Sequence, residues 1–117
     1  MAHVIALVDD LFFQMKIVET AKKLGVEVKT VTSPDALVAA AQQGAPGLFV
    51  IDLNARAGGV EAIERLHAAG NHTPIIAFLS HVQVELAERA RAAGCAEVMP
   101  RSQFTLQLAQ ILGRAKP

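Results

Sequence analysis

At 117 residues, 52% of them hydrophobic, the chain has the length of one domain (1–117) and enough aliphatic side chain for a large core, which excludes disorder. Eleven Lys and Arg balance eleven Asp and Glu, which argues against a general nucleic-acid binder and against attachment to an anionic membrane surface. The single cysteine, Cys95, excludes an internal disulfide and a cysteine-rich metal cage, and fits a reducing, cytoplasmic compartment.

Residues 4–8 form an apolar run that lacks the length and the basic lead of a signal peptide and stops at Asp9 and Asp10. It reads as a buried strand. Phe13, Ile17, Ala21 and Leu24 then recur at helical spacing, and Gly25 follows where a helix ends in a left-handed residue. A second strand is expected over 27–31. Ser33-Pro34-Asp35 places a capping hydroxyl before a proline at the first helical position, so a second helix is predicted to run to Gly44. The third strand covers 48–51. Val60, Ile63, Leu66 and His67 mark a third helix ended by Gly70, and 75–79 is the fourth strand.

The stretch 67–84 lacks Asp, Glu, Lys and Arg, yet Gly70, Asn71, His72, Thr73, Pro74, Ser80 and His81 within it rule out a membrane-spanning helix. A fourth helix, 83–93, is rich in Ala, Arg and Glu and is expected to be the least buried. The fifth strand is 96–99. Beyond it, Ser102 is a candidate cap, and Phe104, Leu108, Ile111 and Leu112 predict one continuous amphipathic fifth helix. Strict alternation of five strands and five helices implies a (βα)5, doubly wound parallel α/β sheet, a three-layer sandwich with helices on both faces.

Function in such sheets lies beyond the carboxyl ends of the strands. Here those ends carry Asp9-Asp10 after strand one, Asp52 after strand three, Ser80 after strand four and Arg101 after Met99-Pro100 of strand five. Asp10 is also placed to cap the helix that starts at Leu11. The joint placement says more than any one residue. Three carboxylates on one rim resist joint ionisation without a cation, and Mg2+, which takes hard oxygen ligands and keeps several waters, is the inferred partner. With a metal, the Ser80 hydroxyl and the Arg101 guanidinium around it, Asp52 is suited to carry a phosphoryl group on a carboxylate oxygen.

The strings Val4-Ile5-Ala6-Leu7-Val8-Asp9-Asp10, Phe49-Val50-Ile51-Asp52-Leu53-Asn54, Phe78-Leu79-Ser80 and Met99-Pro100-Arg101 resemble, over the whole chain, a response-regulator receiver domain of the CheY-like, flavodoxin-like type. The resemblance implies that Asp52 is the phosphoacceptor, that Asp9, Asp10, Asp52 and the backbone carbonyl of Asn54 hold Mg2+, and that Ser80 bonds the phosphoryl group. It further implies two-component signal transduction: a sensor histidine kinase or small phosphodonor as source, and output through a downstream protein partner or a homodimer. No nucleic acid or membrane takes part, and the only chemistry is autophosphorylation and self-dephosphorylation, so the chain is not a conventional enzyme.

Several positions depart from the family pattern. Arg101 replaces the usual lysine and Ser102 the proline after it; the arginine fork is long enough to pair with Asp52 at rest. His81 replaces a small residue beside Ser80. The loop Ala55-Arg56-Ala57-Gly58-Gly59 lacks the usual Met-Pro, and Val98 stands at the position of the aromatic switch, which excludes aromatic rotamer switching as the output. These changes define an atypical subgroup, with an output surface that includes Glu88, Arg89, Arg91 and Ala92. The alternative is a phosphorylation-independent pseudo-receiver, an interaction module locked by an Arg101–Asp52 ion pair. A small phosphate-handling enzyme is disfavoured, because no glycine-rich phosphate loop follows strand one.

His3, His67, His72 and His81 show no metal-binding spacing, and Cys95 is expected to be a small buried residue. Of the adjacent Phe12 and Phe13, one is expected in the core and the other over the rim.

Overall fold

In the computed structural model, which describes residues 2–80 and 83–116, the five apolar runs become five parallel strands: β1 (Val4–Leu7), β2 (Val28–Val31), β3 (Leu48–Asp52), β4 (Ile75–Leu79) and β5 (Glu97–Pro100). Their order is β2-β1-β3-β4-β5. β1, β3 and β4 are buried throughout, as strands covered on both faces must be. The register sets Leu7 beside Ile51 and Asp52 beside Phe78, so the carboxyl ends of the central strands share one edge. The chain moves outward to β2 and then returns past β1 to β3. The winding therefore reverses between β1 and β3, where Asp9, Asp10 and Asp52 lie.

Strand alternation divides the core in two. Ile5, Leu7, Phe49, Ile51, Ala77 and Leu79 pack against α2 (Pro34–Gln42), α3 (Gly59–Ala68) and α4 (Val84–Ala93). On the other face Val4, Ala6, Val8, Val50, Ile76 and Phe78 meet α1 (Leu11–Leu24), α5 (Arg101–Leu106) and α6 (Leu108–Gly113). This is the three-layer α/β sandwich that the alternation implies. α4 buries only Ala90, in keeping with its polar sequence.

The local signals act as expected at several ends. Asp10 caps α1 by accepting the Phe13 N–H at 3.2 Å, Gly25 closes that helix at φ 73°, and Ser33 Oγ accepts the Ala36 N–H at 3.1 Å. Gly59 has a different role: a Cβ there would lie 2.8 Å from both the Asp52 carbonyl oxygen and the Leu53 Cα. The start of α3 therefore rests directly on the end of β3.

The last helix differs from expectation. Helix begins at Arg101, immediately after Pro100, so the exposed Ser102 lies inside it and is no cap. It breaks at Gln107 into α5 and α6. The Thr105 hydroxyl donates to the Arg101 carbonyl at 2.9 Å, a back-bond that bends helices. Both pieces still bury the predicted stripe of Phe104, Leu108, Ile111 and Leu112. Cys95 is buried, with its thiol within hydrogen-bond reach of the Ile75 and Glu97 carbonyls, a structural residue as anticipated.

Candidate functional site

Asp52 ends the central strand β3 and is 3% exposed, the buried charged residue of the described core. One of its oxygens, Oδ1, accepts the Asn54 N–H at 2.9 Å, while Oδ2 makes no hydrogen bond among the described residues. Burial pushes this carboxyl above its ordinary range. The Asn54 N–H and the Arg101 charge oppose that shift, and the charges of Asp9 and Asp10 add to it. The three carboxylates are thus close enough to feel one another.

The two residues after β1 point to different partners. Asp9 is exposed, and its Oδ2 accepts the Arg56 N–H at 2.9 Å, which ties the end of β1 to the loop between β3 and α3. Asp10 uses both oxygens: Oδ1 accepts the Phe13 N–H, and Oδ2 pairs with Arg101 Nη2 at 2.9 Å. First that N–H and then the guanidinium hold the Asp10 carboxyl below its usual range. Arg101 therefore pairs with Asp10 and not with Asp52, which corrects the expected ion pair. Position explains it: Arg101 opens α5 beside the first turn of α1, and its Cζ lies 4.2 Å from the Phe13 ring centroid. That ring is packed against Phe78 and Phe104.

Asn54 is the residue whose side chain the sequence reading missed. Its Oδ1 accepts the Ser80 N–H at 2.7 Å, and its Nδ2 donates to Gln83 Oε1 at 3.0 Å. Only its backbone carbonyl was singled out from the sequence, because the partners of the side chain, Ser80 and Gln83, are 26 and 29 residues away. Ser80 follows β4 and is exposed; its placed contact is this backbone bond. His81 lies outside the described residues. Phe13 is in the core and Phe12 is 86% exposed, so the pair divides as expected.

Among the described residues no three His, Cys, Asp or Glu side chains are spaced to close around a metal ion. The rim is therefore not a closed cage of three carboxylates, and Asp10 is the member already engaged. Its donor chemistry suits Mg2+ nonetheless: exposed Asp9, the free oxygen of Asp52 and a backbone carbonyl are hard oxygen ligands, and this ion keeps several waters. Away from the rim, Val98, Leu79, Gln83, Val84, Ala87, Arg91, Met99 and Pro100 line a groove of about 190 Å3 between α4 and β5.

A family model for the response regulator receiver domain matches residues 5–112. The chain belongs to the response-regulator receiver family. Solved structures agree in fold. CheY4 of Vibrio cholerae superposes with a TM-score of 0.82 at 23% identity, with 98% of each chain covered. The receiver domain of NtrX from Brucella abortus gives 0.81 at 19% identity over 96% of each chain. Longer NtrX, determined with ADP, gives 0.80 at 20% identity, and there the match covers 98% of this chain and 26% of that one. The present chain thus spans about a quarter of that protein. No curated protein matches the sequence. As a receiver, the chain is a module of two-component signalling with the CheY fold, and no helix among its described residues is long and apolar enough to cross a membrane.

Proposed function

We propose that this receiver accepts a phosphoryl group on Asp52 in a Mg2+-dependent reaction and passes the signal to a partner protein through the face formed by α4, β5 and α5. One observation carries the reading: at the winding reversal a buried carboxylate has one oxygen fixed by a backbone N–H and the other free. Burial makes that carboxylate more basic, and a more basic carboxylate is the better nucleophile.

Asp52 Oδ2 attacks the phosphorus of a histidine-kinase phosphohistidine or a small phosphodonor such as acetyl phosphate. The new O–P bond forms as the bond to the imidazole nitrogen or acetate oxygen breaks, and that leaving group takes the electron pair. Asp9, Asp10, Asp52 and the Asn54 carbonyl are the groups that would hold Mg2+, which when bound neutralises phosphoryl oxygens. Ser80 donates its hydroxyl to a phosphoryl oxygen, and Arg101 pairs with another. Water then attacks the phosphorus, releases inorganic phosphate and restores the Asp52 carboxylate, which resets the module.

A phosphorylation-independent interaction module remains the competing reading, but the Arg101–Asp52 lock on which it was built is replaced by Arg101–Asp10. The test is intact mass after incubation with acetyl phosphate and Mg2+, beside Asp52→Ala and a metal-free control. A metal-dependent phosphoryl adduct that disappears in the variant is expected. Labelling that survives Asp52→Ala would overturn the site, and a folded protein that takes no adduct would favour the competing reading.

A further inference from the structure

Asp10 stands apart from the other two rim carboxylates because both of its oxygens are spent. Oδ1 receives the Phe13 N–H at 3.2 Å and Oδ2 the Arg101 guanidinium at 2.9 Å. The first bond belongs to the fold, since it caps α1. The second is the one that can be exchanged: the two side chains are 29% and 41% exposed, so water and ions reach the pair.

The guanidinium is also held from a second direction. Its Cζ sits 4.2 Å from the Phe13 centroid and 5.8 Å from that of Phe78. Those rings belong to a packed cluster with Phe104, with centroid separations of 5.1, 5.9 and 4.6 Å. Arg101 thus lies between a carboxylate and an aromatic face that α1 presents three residues apart. A cation over a ring and a charge-assisted hydrogen bond both favour this seat.

We propose that Arg101 is the resident counter-cation of the acidic rim, and that a divalent cation gains Asp10 only by displacing its guanidinium. This inference rests on the Mg2+ reading above and deepens it. The affinity of the rim for a divalent cation is then set by an exchange between two cations for one carboxylate, and Phe13 tunes that exchange without touching the metal. Arg101 acts here as a positioning residue: it decides when Asp10 is available.

The test is calorimetric titration of Mg2+ into the wild-type chain, Arg101→Met and Arg101→Lys, each checked for native circular dichroism. Met keeps an apolar stem over Phe13 and removes the charge, so Mg2+ should bind about two- to fivefold tighter, the range expected when one competing charge is removed from a solvent-accessible site. Arg101→Lys keeps a charge without the stacked fork and should fall between, which preserves the test if the Met variant folds poorly. In the wild type, the Arg101 Nε–H resonance should shift as Mg2+ saturates, a response that a merely structural arginine would not give. Binding by Arg101→Met alone, with none by the wild type, would be the strongest support. Equal affinities in all three proteins would overturn the exchange and leave the Mg2+ reading standing, whereas no binding by any folded variant would remove both.

Discussion

Gly59→Ala tests whether the candidate site is built by close approach of α3 to the end of β3. On helix propensity alone the substitution should help, since Ala is favoured over Gly by roughly 1 kcal/mol inside a helix. The structure demands the opposite. An added Cβ would stand 2.8 Å from the Asp52 carbonyl oxygen, 2.8 Å from Leu53 Cα and 3.2 Å from Ile51 Cγ2. Two of those three atoms are backbone, at the last residue of the central strand and the one after it, and cannot rotate away. Regaining ordinary contact at 3.4 Å moves the helix start by about 0.6 Å. Overpacking of this kind costs roughly 1–3 kcal/mol, or a fall in melting temperature of about 4–12 °C for a domain of this size. Thermal and urea denaturation followed by circular dichroism would measure it. Gly113→Ala is the control, because nothing lies within 4 Å of a Cβ there, and it should be neutral or stabilising. A Gly59→Ala protein as stable as the wild type would refute the claim that this contact fixes the start of α3.

Two further outcomes follow from the same rim. Burial raises the Asp52 carboxyl above its unfolded value, so its contribution to stability is full below the unfolded value and is lost as pH rises through the folded one. Asp52→Asn removes that loss. In metal-free buffer the variant should melt above the wild type near pH 7 and converge with it below about pH 4, where the unfolded carboxyl is protonated; parallel melting curves across that range would contradict the assignment. Asn54→Ala removes the acceptor for the Ser80 N–H and the donor to Gln83. Hydrogen exchange at the Ser80 amide should quicken about tenfold, the worth of roughly one net hydrogen bond, and unchanged exchange would show that the amide does not tether that loop.

The frame was legible in the sequence because its signals are local. Runs of four or five apolar residues ended at carboxylates or turn residues, Ser33 and Gly25 marked helix ends, and the alternation of strand and helix dictated a parallel sheet whose functional edge is known in advance. Asp52 could be named as a candidate from its place at a strand end, with the family resemblance supplying its expected role. The partner of Arg101 could not, because it depends on which of two carboxylates a long side chain meets after α5 has packed beside α1. The two carboxylates carry the same formal charge, but Asp52 is recessed to 3% exposure with one oxygen occupied, while Asp10 stands at the helix start with an aromatic face beside it. The bend at Gln107 was hidden for a similar reason. The stripe from Phe104 to Leu112 keeps one face through the break, so hydrophobic spacing carries no trace of the Thr105 back-bond that accompanies it.

Val98 gives the arrangement its particular interest. β5 carries no aromatic ring, and the groove that Val98 lines also includes Gln83. From Asp52 that residue is two hydrogen bonds away: the Asn54 N–H on Asp52 Oδ1, then the Asn54 amide on Gln83 Oε1. The same amide holds the Ser80 backbone through its other atom. Any change of charge at Asp52 therefore acts first on a residue that touches both the loop after β4 and the wall of the groove. On the opposite side Arg101 links Asp10 to the start of α5. Phosphoryl acceptance at Asp52 would add negative charge between these two contacts, drawing the guanidinium from one side and the Ser80 hydroxyl from the other. Each contact then has two partners to choose between, which is the physical requirement for a two-state element. On the reading proposed above, the Asn54 amide is the polar link between Asp52 and the surface beside Gln83.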